Sequence, residues 1–299
     1  MSIKNQASPE NIHLVFRREL SIAIPASLVS DIPHLREKTL RIGMIGRAAA
    51  IFGVEEIIVF SDALERDQRE EVNLIATILS YMETPQYLRK RLFKIRPELR
   101  YAGVLPPLRT PHHPLANHVK DLVDGEYREG AAASHARDGT FVDVGVEQHA
   151  LVRNRKIPLN TRLTVKITKR KKLLEAEVAN RNEIKEYWGY RVTSSNARFG
   201  KLLKTHAFDM VIATSKYGKP FHETSGELIN RWETSRRILV ALGAPTQGLY
   251  EIVRQENLDL DDVADFVVNT IPRQRVETVR TEEALYVTLG ILNSVFAKG

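Results

Sequence analysis

The segment "NTIPRQRVETVRTEEA", residues 269–284, is strongly polar although the segments on both sides of it are apolar. A short apolar run, 266–268, leads into it, and a long apolar run, 285–296, follows it. Runs of these lengths predict a buried strand and a buried helix. The backbone groups of a polar loop between two buried elements must find hydrogen-bond partners. The function of this loop should therefore account for its polar sequence.

Composition limits the class of protein. The 299 residues are 43% hydrophobic and 27% charged, as in a globular chain of two domains or of one domain with a large insertion. The net charge of +7 favours an anionic partner, with nucleic acid first. The alternative is a basic protein from a basic proteome.

Several classes of site are excluded because the chain contains no cysteine. Disulfides, thiol nucleophiles and cysteine-based zinc sites cannot form. His112, His113 and His118 lack a carboxylate at ligand spacing, so we predict no metal site. No signal-peptide core and no membrane-length apolar run occur, which predicts a cytoplasmic protein that does not contact a membrane.

The two ends of the chain have the pattern of an α/β domain with a parallel sheet. Near the N-terminus, strands at 12–24 and 55–60 alternate with helices at 34–53 and 66–82. The pattern returns near residue 208, and its last helix begins at Thr281. Its strands are predicted at 208–214, 236–243 and 265–271, with a helix at 246–256.

The middle of the chain has the pattern of a small all-β barrel. Short alternating segments separated by turns predict strands at 140–146, 148–153, 161–168, 173–179 and 187–193. We therefore predict a discontinuous α/β domain, residues 1–100 and 195–299, with a barrel inserted at 101–194.

Two loops stand where ligands bind in open α/β sheets, just beyond the carboxyl ends of strands. One contains Gly243, Ala244, Pro245 and Gly248, and the other bends at Pro272. Each could be an ordinary turn, but together they predict a ligand cleft. No P-loop motif and no dinucleotide G-x-G-x-x-G motif is present.

Three motifs resemble those of the SPOUT class of RNA methyltransferases. "RIGMIGRAAAIFGV" (41–54) resembles the first motif, "ILVALGAPTQGL" (238–249) the second and "IPRQRVETVRTEEA" (271–284) the third. The inserted barrel is similar to the archaeal and eukaryotic branch with an OB-like insertion, some members of which are linked to uridine-N3 methylation of ribosomal RNA. The resemblance covers essentially the whole chain.

The motifs also depart from the class. Arg41 and Arg280 stand where asparagine is usual, and Ala244 and Pro245 occupy the place of an acidic residue. These departures favour methylation of a base over methylation of the ribose.

The resemblance implies a trefoil knot, in which the polar loop is threaded and lines a pocket for S-adenosylmethionine. The residues expected to bind this cofactor lie at the strand ends and in the two loops: Thr214, Leu242, Gly243, Ala244, Pro245, Gly248, Ile271, Pro272, Gln274 and Thr278.

The resemblance also implies catalytic roles. Arg47 and Arg280 are assigned to electrostatics and phosphate positioning, because arginine does not readily release a proton. Glu282 could face the sulfonium or the base, or it could only favour the start of a helix capped by Thr281. Arg47 could also be an ordinary surface residue. The last helix is apolar nearly all round, which predicts a homodimer.

Two basic clusters are predicted to bind RNA, most plausibly ribosomal RNA. The first lies on a predicted helix and comprises Arg89, Lys90 and Arg91, with Lys94 beyond them. The second is a hairpin tip formed by Lys169, Arg170, Lys171 and Lys172, which could equally be solvated turn charge. Tyr187 and Trp188 could offer stacking faces, although Trp188 could instead be core.

The prediction is thus an S-adenosylmethionine-dependent RNA methyltransferase that acts on a base, with uridine N3 favoured. The alternatives are a non-catalytic RNA-binding or ribosome-assembly factor with the same fold, and a scaffold that uses its basic surface to join complexes.

Overall fold

The computed structural model describes residues 18–169 and 173–296. The strands are β1 (Glu19–Pro25), β2 (Glu56–Phe60), β3 (Tyr127–Ala136), β4 (Gly139–Asp143), β5 (Ala150–Arg153), β6 (Arg162–Lys169), β7 (Glu175–Val178), β8 (Arg191–Ser195), β9 (Met210–Pro220), β10 (Arg237–Ala241) and β11 (Phe266–Asn269). The helices are α1 (Leu35–Ile51), α2 (Arg69–Glu83), α3 (Gln86–Leu92), α4 (Phe199–Thr205), α5 (Phe221–Thr234), α6 (Leu249–Arg254), α7 (Leu260–Val263) and α8 (Thr281–Phe296).

The first of two structural units is built on a six-stranded parallel sheet with the strand order β11-β9-β10-β1-β2-β8. Its strands are apolar on both faces because helices cover both sides. In β1, Ile22 and Ile24 enter the core shared with α1, α2, α5 and α8. Ala23 enters the opposite core, shared with α4, α6 and α7. The predicted α/β layer with a parallel sheet is confirmed.

A closed barrel forms the second unit, in the order β3-β4-β5-β7-β6. Its core is small and aliphatic, with Val142, Val152, Val165 and Ile167 fully or nearly fully buried. All but one of its pairings are antiparallel, since β5 and β7 run parallel at Leu151 and Glu175. The predicted inserted barrel of short strands is therefore present.

One strand prediction in the barrel is wrong. The sequence predicts a barrel strand at 187–193. The strand formed there, β8, begins at Arg191 and pairs with β2 at the edge of the parallel sheet. The barrel uses β3 instead, whose "YREGAAASHA" sequence lacks clear alternation of bulky residues. Of the predicted strand at 12–24, residues 12–17 lie outside the described residues, and β1 begins at Glu19.

A charged junction fixes the barrel against the sheet. Arg162 of β6 donates to Glu83 at the end of α2, with one Nη2–Oε1 distance of 3.0 Å, and to Glu129 of β3. Trp188 donates from Nε1 to the Glu129 carboxylate at 2.7 Å. Glu83 and Glu129 are both nearly fully buried, so Arg162 has to neutralise them.

Gly189 lies at the point where the chain leaves the barrel and re-enters the sheet. Its φ of +79° lies in the left-handed region that favours glycine. A Cβ at this position would lie 2.5 Å from Glu83 Oε1 and 2.5 Å from His112 Cε1. The glycine thus permits the close packing of the return segment onto the charged junction.

The junction predicts acid sensitivity. Burial opposes the charge on Glu83, but the hydrogen bond with His112 and the attraction of Arg162 outweigh it and lower the pKa of Glu83 to about 2. Because its pKa is lower in the folded state, Glu83 stabilises the fold above its ordinary value of 4.5, and this contribution is lost as the pH falls towards 2. The contribution at neutral pH is on the order of 3 kcal/mol.

We therefore expect Glu83→Gln to lower the free energy of unfolding at pH 7 and to differ less from the wild type as the pH falls to 3. Urea denaturation of both proteins between pH 7 and pH 3 measures this. A Glu98→Gln variant, altered at a less buried glutamate that accepts only from Asn73, is the control. A pH-independent difference between Glu83→Gln and the wild type would contradict the assignment.

Candidate functional site

A cavity of about 360 Å³ lies beyond the carboxyl ends of β9, β10 and β11. Three segments line it: the end of β9 with the residues that bulge from it, the loop that joins β10 to α6, and the loop that joins β11 to α8. This is the edge of an open α/β sheet at which ligands bind. The lining residues are Thr214, Ser215, Lys216, Tyr217, Leu242, Gly243, Ala244, Pro245, Thr246, Gln247, Gly248, Glu251, Asn269, Thr270, Ile271, Gln274, Glu277, Thr278, Val279, Thr281 and Ala284.

A long bulge in β9 supplies one wall. Val267 of β11 pairs with Ala213, but the next residue, Val268, pairs with Lys219. Residues 214–218 therefore leave the ladder and turn towards the cavity, where Lys216 and Tyr217 join the lining. The hydroxyl of Thr214 donates to Ala241 O at 3.1 Å, which holds the start of the bulge against β10.

The loop after β10 is held tightly closed. Ala244 N donates to Gln247 O at 2.9 Å, which makes a compact turn at the cavity. A Cβ on Gly243 would lie 3.0 Å from Gly248 Cα and 3.2 Å from Gln247 O, both backbone atoms. A side chain at 243 would therefore push these backbone atoms apart by a few tenths of an ångström. Gly248 differs, since its added Cβ would meet only the side chain of Glu251.

The polar loop 269–280 satisfies many of its polar groups within itself. Asn269 accepts from Ile271 N at 2.9 Å and donates to Lys216 O at 2.8 Å, so it links this loop to the β9 bulge. Gln274 donates to Val276 O and to Glu277 O at 3.0 and 3.1 Å. The side chains of Asn269 and Gln274 thus keep the loop folded over the cavity, whereas all four charged side chains of the loop are exposed.

The start of α8 joins the two loops. Thr281 donates from Oγ1 to Gly243 O at 2.8 Å, and Thr270 and Thr288 hydroxyls lie 3.0 Å apart. The expected capping role of Thr281 is wrong, because its hydroxyl is used by Gly243. Ala284 N donates to Arg280 O, which makes Arg280 the cap residue, and Glu283 accepts from Arg280 N at 2.9 Å.

The structure brings together all the residues predicted to bind a cofactor except Pro272, which is exposed and outside the cavity lining. Sequence reasoning missed several lining residues. Lys216 and Tyr217 come from the bulge, which has no clear signal in the sequence. Glu251 lies in the first turn of α6, directly after the glycine loop, and that position could have identified it.

The three predicted catalytic residues do not line the cavity. Arg280 is exposed beside it, between the lining residues Val279 and Thr281. Arg47 donates from Nη1 to Pro107 O at 2.9 Å and to Leu108 O at 2.7 Å, so it anchors the segment that leads to the barrel. These bonds give Arg47 a structural task.

Glu282 is buried in an ion pair. Its Oε1 lies 3.2 Å from Arg41 Nε, and Arg41 Nη1 lies 2.7 Å from Asp31. Both Arg41 and Glu282 are less than 7% exposed. Burial raises the pKa of Glu282, and the nearby Arg41 opposes that change. Arg41, which replaces the usual asparagine, therefore has a partner that joins α1 to the start of α8.

The residues of the first basic cluster differ in their contacts: some bond within the chain and others are exposed. Helix α3 ends at Leu92, so Lys94 lies beyond the helix on which it was expected. Arg89 donates to Thr84 O and Met82 O, and Arg91 lies 3.5 Å from Asp143 of the barrel. Lys90 is exposed.

The second cluster lies largely outside the described residues: nothing is described for 170–172, and only the backbone of Lys169 is described, at the end of β6. Of the two roles open for Trp188, the core role is confirmed, because this residue is buried at the charged junction. The hydroxyl of Tyr187 donates to Val54 O.

Among the described residues, His112, His113 and His118 belong to no group of side chains that could hold a metal ion. His112 and His113 both place Nε2 within hydrogen-bond distance of Glu83 O, at 3.0 and 2.7 Å. Burial and the neighbouring His112 lower the pKa of His113 to about 4. Among residues 18–169 and 173–296, no helix is both long enough and apolar enough to span a bilayer.

The fold and the cavity have the arrangement of an α/β protein with a ligand site at the carboxyl edge of its sheet. A family model described as "Putative RNA methyltransferase" matches residues 19–292, and the chain belongs to this family. The chain is 33% identical to a 28S rRNA (uridine-N(3))-methyltransferase of Drosophila melanogaster, over 91% of this chain and 61% of that protein. It thus spans less than two thirds of that relative's length.

Two further relatives match the chain over the same share of its length. The chain is 30% identical to a 28S rRNA (uridine-N(3))-methyltransferase of Homo sapiens, over 91% of this chain and 77% of that protein. It is also 30% identical to an uncharacterized protein of Haloarcula marismortui, over 91% of this chain and 98% of that protein.

The bond between Thr281 and Gly243 generates a prediction. Thr281→Val removes the donor and leaves a carbonyl oxygen without this partner, which we expect to lower the free energy of unfolding by about 1 to 3 kcal/mol. Thr281→Ser keeps the donor and should lose clearly less. Thermal unfolding of the two variants measures this, and a larger loss in Thr281→Ser than in Thr281→Val would show that the methyl group of Thr281, rather than its hydroxyl, stabilises the site.

Proposed function

We propose that this protein transfers a methyl group from S-adenosylmethionine to N3 of a uridine in large-subunit ribosomal RNA. The observation that carries the proposal is the cavity formed by the β9 bulge and the loops after β10 and β11, which is lined by nearly all the residues predicted to hold the cofactor. Family membership supports the reaction class. The names of the Drosophila and human relatives support the base and the RNA.

The lining fits the cofactor chemically. S-adenosylmethionine supplies an electrophilic methyl group on a sulfonium when it is bound. The carbonyl oxygens of Leu242 and Gln274 can accept from the amino group of an adenine. The N–H groups of these two residues and of Ile271 already donate within the chain. Glu251 can accept from hydroxyl or ammonium groups, and Lys216 can pair with a carboxylate.

The target nitrogen imposes a requirement on the site. Uridine N3 carries a proton at neutral pH, so the site must favour its loss by accepting it or by stabilising the anion. Arg280, exposed beside the cavity, is the predicted catalytic cation best placed for the second task. Glu282 is buried against Arg41, which suits it to position the start of α8 rather than to meet the base.

The same proposal includes a trefoil knot and an OB-like barrel. Support for the knot comes from the bonding between the two cavity loops, since Thr281 at the end of one contacts Gly243 of the other. Support for the OB-like barrel comes from its five strands, closed in the order β3-β4-β5-β7-β6.

The proposal also includes a homodimer that pairs through α1 and α8. Leu40, Met44 and Ile51 of α1 are 41%, 42% and 52% exposed, and Val287 of α8 is 37% exposed. These two helices pack side by side, so the exposed residues form one apolar surface.

We expect Met44→Glu to shift the protein to a monomer in sedimentation equilibrium, because it places a charge in this surface. Leu64→Glu, at an equally exposed leucine in a loop, is the control and should leave the assembly unchanged. A dimer that persists in Met44→Glu and Leu40→Glu would show that α1 is not the interface.

Methyl transfer itself is tested with a matched pair of glycine variants. Large-subunit ribosomal RNA transcript is incubated with isotope-labelled S-adenosylmethionine, then digested and analysed by mass spectrometry for 3-methyluridine. We expect the wild type and Gly226→Ala, whose added Cβ on α5 meets nothing within 4 Å, to form this nucleoside. Gly243→Ala should form at least about tenfold less, because its Cβ meets backbone and reshapes the cavity.

Calorimetry with S-adenosylmethionine separates this proposal from its rival. We expect heat of binding for the wild type and a weakened signal for Gly243→Ala. A protein that binds RNA without any cofactor heat and without 3-methyluridine is the non-catalytic assembly factor. Label on another atom of the nucleoside would refute uridine N3 while leaving the reaction class intact.

A further inference from the structure

A second large depression lies between α3 and the segment 94–107, which leads towards the barrel and is called the strap below. Its volume is about 730 Å³, and it is called the basic groove. None of the described residues that line it is acidic, and five are arginine or lysine. The cations are Arg89, Lys90, Lys94, Arg96 and Arg100. Such one-signed lining concentrates an anionic ligand.

The cations of the groove differ in how far they are committed to internal contacts. Arg89 donates to two backbone carbonyls, and Arg96 Nη1 donates to Thr77 Oγ1 at 3.2 Å. Lys90, Lys94 and Arg100 are exposed at the rim. Arg96 is exposed as well, but it is committed to Thr77. The rim therefore offers three charged groups that can turn towards a ligand, and the half-buried Arg89 holds the wall.

Apolar and aromatic groups accompany the rim. Phe93 packs edge-on against Tyr81, with ring centroids 5.2 Å apart, and both line the groove. Ile95 is fully exposed, with a relative exposure of 106%. Leu105 and Pro106 continue the apolar lining on the strap. Exposed apolar groups beside several cations suit a ligand that carries both flat apolar faces and negative charge.

The strap is held in place from beneath. Arg47 binds the Pro107 and Leu108 carbonyls, and a Cβ on Gly43 would lie 2.9 Å from Leu105 and 3.2 Å from Pro106. The strap thus packs directly on α1. Because the chain itself makes these contacts, the groove needs little ordering when it binds a ligand.

We propose that the basic groove binds a single-stranded segment of the substrate RNA. Lys90, Lys94 and Arg100 contact its phosphates, and Phe93 and Ile95 contact its bases. A single strand exposes both kinds of group, whereas a duplex hides its base faces. The proposal rests on the proposed function for the identity of the ligand as RNA, and it adds the strandedness of the RNA and the surface that selects it.

The test uses the full chain and fluorescence anisotropy with two labelled RNAs of equal length: a single-stranded uridine-rich oligonucleotide and a blunt duplex. The groove variant is Lys90→Ser, Lys94→Ser, Arg100→Ser. The control variant, Lys201→Ser, Lys204→Ser, Arg254→Ser, removes equal charge from exposed positions on α4 and α6, on the other face of the sheet. Binding is measured over a series of salt concentrations.

We expect the groove variant to bind the single strand at least about tenfold more weakly than the wild type. Its salt slope should fall by about 2, since each lost phosphate contact on a single strand contributes roughly 0.7 to the slope. The control variant should change single-strand affinity less than about twofold, and the groove variant should affect duplex binding no more than the control does.

Ile95→Ser provides a second measurement that removes no charge and alters a fully exposed side chain. It should weaken single-strand binding about threefold and leave the salt slope unchanged, as loss of a base contact does. If the triple variant proves unstable in thermal unfolding, Ile95→Ser alone decides the question: unchanged single-strand affinity overturns the proposal.

Other outcomes also overturn it. Equal losses in the groove and control variants would show a general charge effect, and equal losses of duplex and single strand would remove the strandedness. A polyglutamate peptide that binds the wild type more tightly than the single strand does, and loses affinity in the groove variant, would mark an acidic protein as the partner.

The failures of the two proposals are distinguishable. Normal single-strand binding by a groove variant of an enzyme that forms 3-methyluridine refutes the groove alone. Groove-dependent single-strand binding without cofactor heat or methylated nucleoside refutes the proposed function and leaves the groove as an RNA-binding surface.

Discussion

The structure depends on the close approach of two loops at the carboxyl edge of the parallel sheet. The turn after β10 closes tightly on itself because residue 243 has no side chain, and Thr281 bonds the carbonyl oxygen of that residue. Together with the Arg41–Glu282 ion pair, this contact fixes the start of α8 beside the sheet and gives loop 269–280 a wall to fold against. The cavity exists because the two loops meet.

Buried and exposed charges have different roles in this protein. At the junction between barrel and sheet, Arg162 is held by the buried carboxylates of Glu83 and Glu129, so its charge stabilises one domain arrangement. At the base of α8, Arg41 does the same for Glu282. The rim of the basic groove keeps its lysines exposed. Buried charge thus fixes geometry here, and exposed charge remains for ligands.

The sequence predicts the parallel sheet, the inserted barrel and most of the cavity lining, because these follow from local periodicity and from glycine at strand ends. It does not predict where a strand pairs. The segment near Tyr190 alternates like a barrel strand, yet β8 joins the sheet because its register with β2 is a tertiary choice. The β9 bulge is likewise invisible, since only pairing with β11 reveals residues 214–218 as extra.

Individual side-chain roles were harder to predict than the loops that carry them. Arg47 lies in a recognisable motif, but its partners are carbonyls 60 and 61 residues further along the chain, and no local pattern shows them. Arg41 departs from the motif, and only the structure shows that Glu282, far along the chain, is its ion-pair partner. The position of each arginine was evident from the sequence, whereas its task depended on a distant segment.

The glycine at 189 has a consequence for how the two units could have been assembled. The chain enters the junction at Glu83 and returns through Gly189, and both crossings share the space occupied by His112. Removing the barrel between these points would remove Arg162 and leave the buried carboxylate of Glu83 on the sheet without its ion-pair partner. Any exchange of this module between related proteins, by recombination or by design, must therefore carry both crossings together.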